Sequence, residues 1–485
     1  MSSLKKVLEN TFLYSLTNIL LRATSIIFFP IFSSYLIRSD YGILSFSQSV
    51  MVFTSIFSGL ELSKAITRFT YKKNEVKFSG DELISNTLTI TLITSVVTVV
   101  PLLFVGQILL RPVLSDIPFY PFISLTLVAI PFKSLIDIYR EYLKANHEGK
   151  KVFYLDMGFF GCNIGLNLFF VIAFDMHSLG IIVSTFVSCL IFAVVLWFVF
   201  YRKIKLTIHW ENARVILNFS LPLIPFAILN ALFDSTDKMF LNSKHGSSYS
   251  GIYYIAITFA GIFSVTKEAI TSAITPWIYN ALSNQKNDYI RNVISSVFLM
   301  TGLLAIAGAW FSKEVLSLLA SNKDLIAAYK YIPLLVSGLY VIFLGQLFNI
   351  KTIYFGRHSR YLFVSTLIGI VFCIASCFIF IQNGNMGILG AALARFIGYL
   401  ALVVTAVFLS RLESDRNEIY DIPFLTVVCV IVSALIFFPL FLDGSIWQQL
   451  FIKSCALAVL LAAVLIFVNK KFDLLSIAMK KFKNN

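Results

Sequence analysis

Apolar residues follow one another along this chain in long runs, and short polar breaks separate the runs. A helix rises about 1.5 Å per residue, so about 20 apolar residues cross the roughly 30 Å hydrocarbon core of a bilayer. The pattern therefore predicts an all-α polytopic membrane protein with about 14 transmembrane helices. The predicted spans are 11–37, 41–63, 84–110, 119–143, 153–174, 179–201, 216–241, 249–280, 292–311, 328–350, 361–381, 388–409, 422–442 and 450–468.

The composition agrees with this interpretation. Of the 485 residues, 58% are hydrophobic and 13% are charged, a balance that a soluble domain does not need. The basic start, MSSLKKVLEN, resembles the beginning of a signal peptide, but no small-residue cleavage site follows it. We expect the first apolar run to be retained as a membrane span.

The distribution of Lys and Arg predicts the orientation. Most of the 39 basic residues fall in every second connection and in the two termini, and such residues collect on the cytoplasmic side. Both termini are therefore expected in the cytoplasm, in agreement with an even number of spans. The net charge of +14 reflects this topology, so we expect no nucleic-acid partner.

Several kinds of chemistry are absent from the pattern. No connection is long enough to hold a soluble catalytic domain, and no G-x-x-x-x-G-K-[ST] loop is present to cradle a nucleotide. The five histidines and six cysteines lack the spacing of a metal site. We expect neither an enzyme nor a resident cofactor or metal.

An internal repeat organises the chain. The segment DYGI around Gly42 corresponds to YSGI around Gly251, and SLGIIVSTF around Gly180 corresponds to ILGAALARF around Gly390, both about 210 residues apart. Six spans separate the copies, so the copies run parallel. The predicted organisation is a six-helix lobe at 1–210, a second at 211–415, and two further helices with a basic tail at 416–485, with the two lobes around a central cavity.

These segments carry a resemblance to a known family. The first span followed by DYGI, the stretch SLPLIPFAILNALFDSTDKMFL, TPWIY at Thr275–Tyr279 and GILGAALARF in span 12 resemble the polysaccharide-exporter branch of the multidrug/oligosaccharidyl-lipid/polysaccharide (MOP) superfamily. The resemblance implies a Wzx-type flippase of the bacterial inner membrane. Such a protein moves an undecaprenyl-diphosphate-linked oligosaccharide from the cytoplasmic to the periplasmic leaflet, for O-antigen, capsule or exopolysaccharide synthesis.

Four basic residues inside the spans are candidates for binding the diphosphate. Ionisable groups at membrane depth are costly and therefore mark function, and guanidinium suits bidentate phosphate contact. The candidates are Arg22 near the middle of span 1, Lys267, Arg395 and Lys133. The alternatives are ion pairing for Arg22, a reach towards the membrane surface for Lys267 and Arg395, and a salt-bridged face of span 4 for Lys133.

Four other charged residues are candidates for coupling or gating. Asp234, Asp237 and Lys238 lie near the periplasmic end of span 7, and Glu268 is adjacent to Lys267. The i, i+4 spacing of Asp234 and Lys238 favours a local ion pair. An outer gate or helix-end anchor and a cation-coupling site are both compatible with this position.

Three further functions stay open. An ion-coupled antiporter of small molecules would use a carboxylate such as Asp234 or Glu268, whereas a membrane scaffold or glycosyltransferase would not transport. We expect transport to be driven by a proton or sodium gradient or by the membrane potential. The expected partners are the lipid-linked oligosaccharide, membrane lipids, and the polysaccharide polymerase with its chain-length machinery.

Overall fold

The computed structural model describes Leu13, Thr17, Leu20 and residues 24–71, 79–284, 287–355, 359–412, 420–442 and 445–472. Helices and turns account for this part of the chain, without a β-strand. Thirteen helical segments, some of them formed by consecutive helices, are long and apolar enough to cross a membrane, and each overlaps one predicted span. Of the first predicted span, 11–37, residues 11–12, 14–16, 18–19 and 21–23 lie outside the described residues. The predicted all-α polytopic fold is confirmed.

The chain divides into two compact units, Met1–Tyr254 and Ile255–Asn485. The first contains α1 to α9 and the start of α10, namely α1 Phe29–Tyr35, α2 Arg38–Gly59, α3 Leu62–Tyr71, α4 Gly80–Leu114, α5 Ser124–Ala145, α6 Gly149–Leu168, α7 His177–Val199, α8 Trp210–Ser220, α9 Ile224–His245 and α10 Ser247–Ser283.

The second unit contains the rest of α10 and seven further helices, namely α11 Asn287–Trp310, α12 Ser312–Leu319, α13 Ile332–Phe355, α14 Ser359–Cys377, α15 Gly387–Leu412, α16 Ile422–Ile436 and α17 Ile446–Phe472. Helix α15 packs on α13 and α14, while α16 and α17 both pack on α11. The last two spans are thus part of the packing of this unit. The predicted lobe boundaries at 210 and 415 stay predictions.

Span 7 begins with a separate amphipathic helix. Helix α8 buries Ala213 and Ile216 in a cluster with residues of α3 and α4. A single 3₁₀ turn, Leu221–Leu223, then separates α8 from α9. Pro222 lies in this turn and Pro225 in the first turn of α9, and proline lacks the amide proton that a continuous helix requires. The apolar run predicted as one span is therefore two helices joined at a proline.

The two copies of the repeated glycine motif pack against each other inside the first unit. A Cβ atom on Gly42 would collide with the backbone carbonyl of Ser247, and one on Gly251 would collide with the carbonyl of Arg38. The Gly251 Cβ position also lies 3.0 Å from the Gly42 backbone nitrogen. Small residues let helix backbones approach closely in membranes. The contact is reciprocal: at each glycine, the backbone of the other copy leaves no room for a side chain.

The turn that leads into α10 is held on the end of α4. The Asp116 carboxylate accepts hydrogen bonds from the Ser247 backbone N–H at 2.9 Å and the Ser247 hydroxyl at 2.5 Å. The Asn242 side-chain amide donates to the Val113 carbonyl at 2.7 Å. Gly246, with φ of +81°, permits the reversal between α9 and α10. These contacts fix the position of the glycine crossing.

Candidate functional site

Two cavities of the first unit lie along the same pair of helices, α2 and α5. The larger has a volume of about 270 Å³ and the smaller about 160 Å³. The larger is lined by Leu44, Ser47, Gln48, Met51, Thr126, Ala129, Ile181, Ile182, Thr185 and Tyr254. The smaller is lined by Ser55, Ile56, Gly59, Glu61, Ser63, Thr91, Ser134, Asp137 and Ile138.

The α2 residues that line the cavities form one stripe. They recur three or four positions apart from Leu44 to Gly59, and residues with that spacing share one helix face. Helix α5 contributes Thr126 to the larger cavity and Ser134 with Asp137 to the smaller. Hydroxyl, amide and carboxylate groups therefore follow one another between the two helices. We call this row the polar track.

A chain of ion pairs borders the polar track on α5. The Lys133 ammonium lies 3.1 Å from Asp137 Oδ2, and the Arg140 guanidinium lies 2.7 Å from Asp137 Oδ1. Arg140 also donates to Asp156 Oδ1 of α6 at 2.7 Å. Glu141 and Lys144 form a further pair at 2.8 Å. The predicted salt-bridged face of span 4 is confirmed, while a substrate contact for Lys133 stays a prediction.

Asp156 is a site residue that the sequence analysis missed. Its side chain is 8% exposed, and its partner Arg140 comes from a different helix. The signal was a single acidic residue within an apolar run, FYLDMGFF. A carboxylate in such a place requires a cationic partner, because the isolated charge is expensive to bury.

The second unit buries two of the predicted cationic residues. Lys267 of α10 is 3% exposed and Arg395 of α15 is 8% exposed. Their burial places both within the protein, whereas the alternative interpretation had them reaching the membrane surface. The Arg395 guanidinium lies 3.4 Å from the Tyr399 hydroxyl, one helical turn further along. Arg22, the first candidate, lies outside the described residues.

Adjacent residues Lys267 and Glu268 take different environments. Glu268 is exposed, and the Ser264 hydroxyl donates to its carboxylate at 3.3 Å. Consecutive residues of an α-helix project about 100° apart, which accounts for the difference. A coupling role for Glu268 stays a prediction.

The charged residues near the end of span 7 also divide by burial. Asp237 is fully buried and accepts hydrogen bonds from the Tyr253 hydroxyl and, at 2.9 Å, from the Lys238 backbone N–H. Asp234, by contrast, is exposed. The Asp237 bond connects α9 to α10, the contact expected of a helix-end anchor. The roles in gating or coupling stay predictions, as does the ion pair of Asp234 with Lys238.

Comparison with known proteins defines the family. A family model described as polysaccharide biosynthesis protein matches residues 31–323, more than half of the chain. The chain belongs to the polysaccharide biosynthesis protein family. The chain is also similar to the Lsg locus putative protein 1 of Haemophilus influenzae. The two are 22% identical over 393 residues, which cover 76% of this chain and 92% of the relative.

The fold of this family member is that of MOP-superfamily transporters. An inward-facing multidrug resistance MATE family transporter of that superfamily superposes with a TM-score of 0.63 at 14% identity, over 84% of this chain and 98% of the other. A MOP superfamily transporter from Pyrococcus furiosus superposes with a TM-score of 0.56 at 15% identity, over 84% and 96%. The predicted resemblance is confirmed for the polysaccharide biosynthesis family and for the fold that MOP superfamily transporters share. The protein is a multi-pass membrane protein with a transporter fold.

Proposed function

We propose that this polysaccharide biosynthesis protein is a flippase. Its substrate is an undecaprenyl-diphosphate-linked oligosaccharide, which moves from the cytoplasmic to the periplasmic leaflet of the bacterial inner membrane by alternating access. The observation that carries the proposal is the burial of two cationic side chains, Lys267 and Arg395, within apolar spans of a chain from this family. Cationic groups at membrane depth mark substrate pathways, because placing them there is costly.

The substrate has three parts with different chemistry. Arg395 and Lys267, together with Arg22, match the diphosphate, because charge-assisted hydrogen bonds to phosphate are among the strongest that side chains form. The polar track supplies hydroxyl and amide groups of the kind that bind sugars, with Lys133 beside it. The polyprenyl tail stays in the lipid and requires no polar site.

The driving force is a proton or sodium gradient or the membrane potential. Moving one elementary charge through 100 mV is worth about 2.3 kcal/mol, enough to bias a two-state transporter strongly. Basic connections and termini face the cytoplasm in this proposal. Glu268, Asp234 and Asp237 are the carboxylates through which a cation would couple.

The test is flipping by the purified protein in liposomes. A fluorescent undecaprenyl-diphosphate glycan extracted from a polysaccharide-producing host should become accessible to a membrane-impermeant quencher when the protein is present. Lys267→Gln, Arg395→Gln and Arg22→Ala should each lower the rate by about tenfold or more, since loss of one charge-assisted bond costs about 1.5–3 kcal/mol. Arg214→Ala, an exposed residue of α8, is the matched control and should keep the wild-type rate.

Two results would contradict the proposal. One is a flipping rate in the presence of the wild-type protein equal to that of empty liposomes. The other is drug resistance that follows expression, with surface polysaccharide unchanged after deletion of the gene. The second result would identify the ion-coupled antiporter of small molecules. The MATE likeness, at 14% identity, shows the fold and does not favour that function.

A further inference from the structure

The smaller cavity of the polar track is rich in hydroxyl groups. Ser55, Thr91 and Ser134 come from three different helices, α2, α4 and α5, and Ser63 adds a fourth hydroxyl. The wall between α2 and α4 is held by hydrogen bonds next to the cavity. The Ser58 and Ser95 hydroxyls lie 2.6 Å apart, and the Thr94 hydroxyl donates to the Ser58 carbonyl at 2.6 Å. These hydrogen bonds hold α2 and α4 together next to the cavity that their side chains line.

One of these hydroxyls lacks a partner. Thr91 is 2% exposed, and within the described part of the chain no group forms a hydrogen bond with its Oγ1 atom. The neighbouring threonine, Thr87, instead donates to the Leu83 carbonyl of its own helix at 2.7 Å. Leaving a buried hydroxyl unsatisfied is costly, and the unsatisfied group in a native structure requires an explanation. A ligand that bonds to Thr91 would supply one.

The charges around the cavity balance. Glu61 pairs with Lys64 at 2.6 Å, and Asp137 pairs with Lys133 and Arg140. Arg140 bridges to Asp156, so three carboxylates face three cationic groups. Neither a cation nor a phosphate gains from a site without net charge. A neutral group with several hydroxyls does, because it donates to the carboxylate oxygens of Glu61 and Asp137 and accepts from the serine and threonine hydroxyls of the lining.

We propose that this cavity binds a sugar residue of the transported oligosaccharide through its hydroxyl groups. The inference rests on the proposed flippase function and assigns the sugar to residues of the first unit. The volume of about 160 Å³ leaves room for part of one sugar ring. Thr91 is the buried residue whose hydroxyl the bound sugar would pair.

The experiment compares two probes on the intact purified protein. One probe is geranylgeranyl diphosphate, and the other is the same lipid diphosphate carrying one sugar, prepared with a hexose, an N-acetylhexosamine and a uronic acid. Affinities are measured by microscale thermophoresis in detergent. Wild-type protein should bind at least one glycosylated probe more tightly than the bare lipid diphosphate.

Thr91→Val removes the hydroxyl and keeps the shape. It should weaken the preferred glycosylated probe by about tenfold, equivalent to about 1.4 kcal/mol, and leave the affinity for the bare lipid diphosphate unchanged. The unfolding temperature should stay the same or rise, because an unsatisfied group disappears. Thr87→Val is the control, since Thr87 is equally buried on the same helix but bonded to its own backbone; it should change neither affinity.

The outcomes separate the two proposals. If wild-type protein binds neither kind of probe, the flippase function fails and the sugar site with it. If it binds the bare lipid diphosphate but gains nothing from any sugar, or if Thr91→Val weakens both probes equally, only the sugar site is overturned. In that case the cavity holds water.

Discussion

Lys453 and Glu314 form a buried ion pair, and replacing the lysine gives a sharp test of the packing. The Lys453 side chain, on α17, is 1% exposed and its ammonium lies 2.7 Å from Glu314 Oε1. The Glu314 side chain, on α12, is 12% exposed. The other carboxylate oxygen of Glu314 has no hydrogen-bond partner among the described residues. Lys453 is therefore the main compensation for this carboxylate.

Lys453→Met keeps the length of the side chain and removes the charge. Breaking a buried pair at one partner costs about 3–5 kcal/mol, because the remaining charge stays uncompensated. For a domain of about 150–250 residues, each kcal/mol corresponds to about 2–4 °C in unfolding temperature. We expect the second unit to unfold about 6–20 °C lower. The double variant Lys453→Met, Glu314→Gln should recover most of this loss, since the buried charge is gone.

The assay is thermal unfolding of the purified protein in detergent, followed by tryptophan fluorescence. Trp310 reports on the correct region because its indole N–H donates to the Leu435 carbonyl at 2.8 Å, between α11 and α16. Lys151→Met is the matched control and should leave the unfolding temperature unchanged. Lys151 pairs with Glu148 at 2.8 Å, but its side chain is 64% exposed and water screens the pair. Equal decreases in unfolding temperature for Lys453→Met and Lys151→Met would refute the reasoning.

Three other substitutions test the remaining contacts. Gly251→Ala should abolish folding or membrane insertion, because the new methyl group would collide with the Arg38 backbone carbonyl. Gly261→Ala is the control and should leave the yield of folded protein unchanged, because the space around Gly261 is open. Equal yields for the two variants would contradict the close contact of Gly251 with Arg38. Arg140→Gln should lower the unfolding temperature by several degrees by leaving Asp156 uncompensated, and adding Asp156→Asn should restore part of it. Arg395→Lys should keep part of the surface polysaccharide in a complemented deletion strain, while Arg395→Gln should abolish it at equal protein abundance, because lysine keeps the charge without the bidentate geometry.

Sequence reasoning succeeded wherever the governing interaction is local. Each of the thirteen observed spans follows an apolar run, because the bilayer requires that every span be long and apolar regardless of its neighbours. The pairing of charges along α5 follows in the same way from i, i+4 and i, i+3 spacing within one helix. The repeated glycines were also visible, since the same motif recurs about 210 residues apart.

The sequence misjudged residues whose environment depends on helix rotation. Lys453 lies two turns from the start of α17, where a long side chain can reach the membrane surface, but it is buried against Glu314 instead. The break at Leu221–Leu223 lies within an apolar run and leaves no mark in hydropathy. The partnership of Arg140 with Asp156 joins two helices whose relative rotation no spacing within either helix determines.

The sequence by itself determined the membrane class, the number and order of the described spans, and the resemblance to a polysaccharide-transport family. Hydropathy and repeat spacing suffice for these, because lipid acts on each segment separately. Only the tertiary structure decided which charges are buried, which glycines touch, and that α2, α4 and α5 line one cavity with hydroxyl groups and an ion-paired carboxylate. Those properties arise where side chains from distant segments meet, and the free energy of a buried charge or hydroxyl depends on the group opposite it.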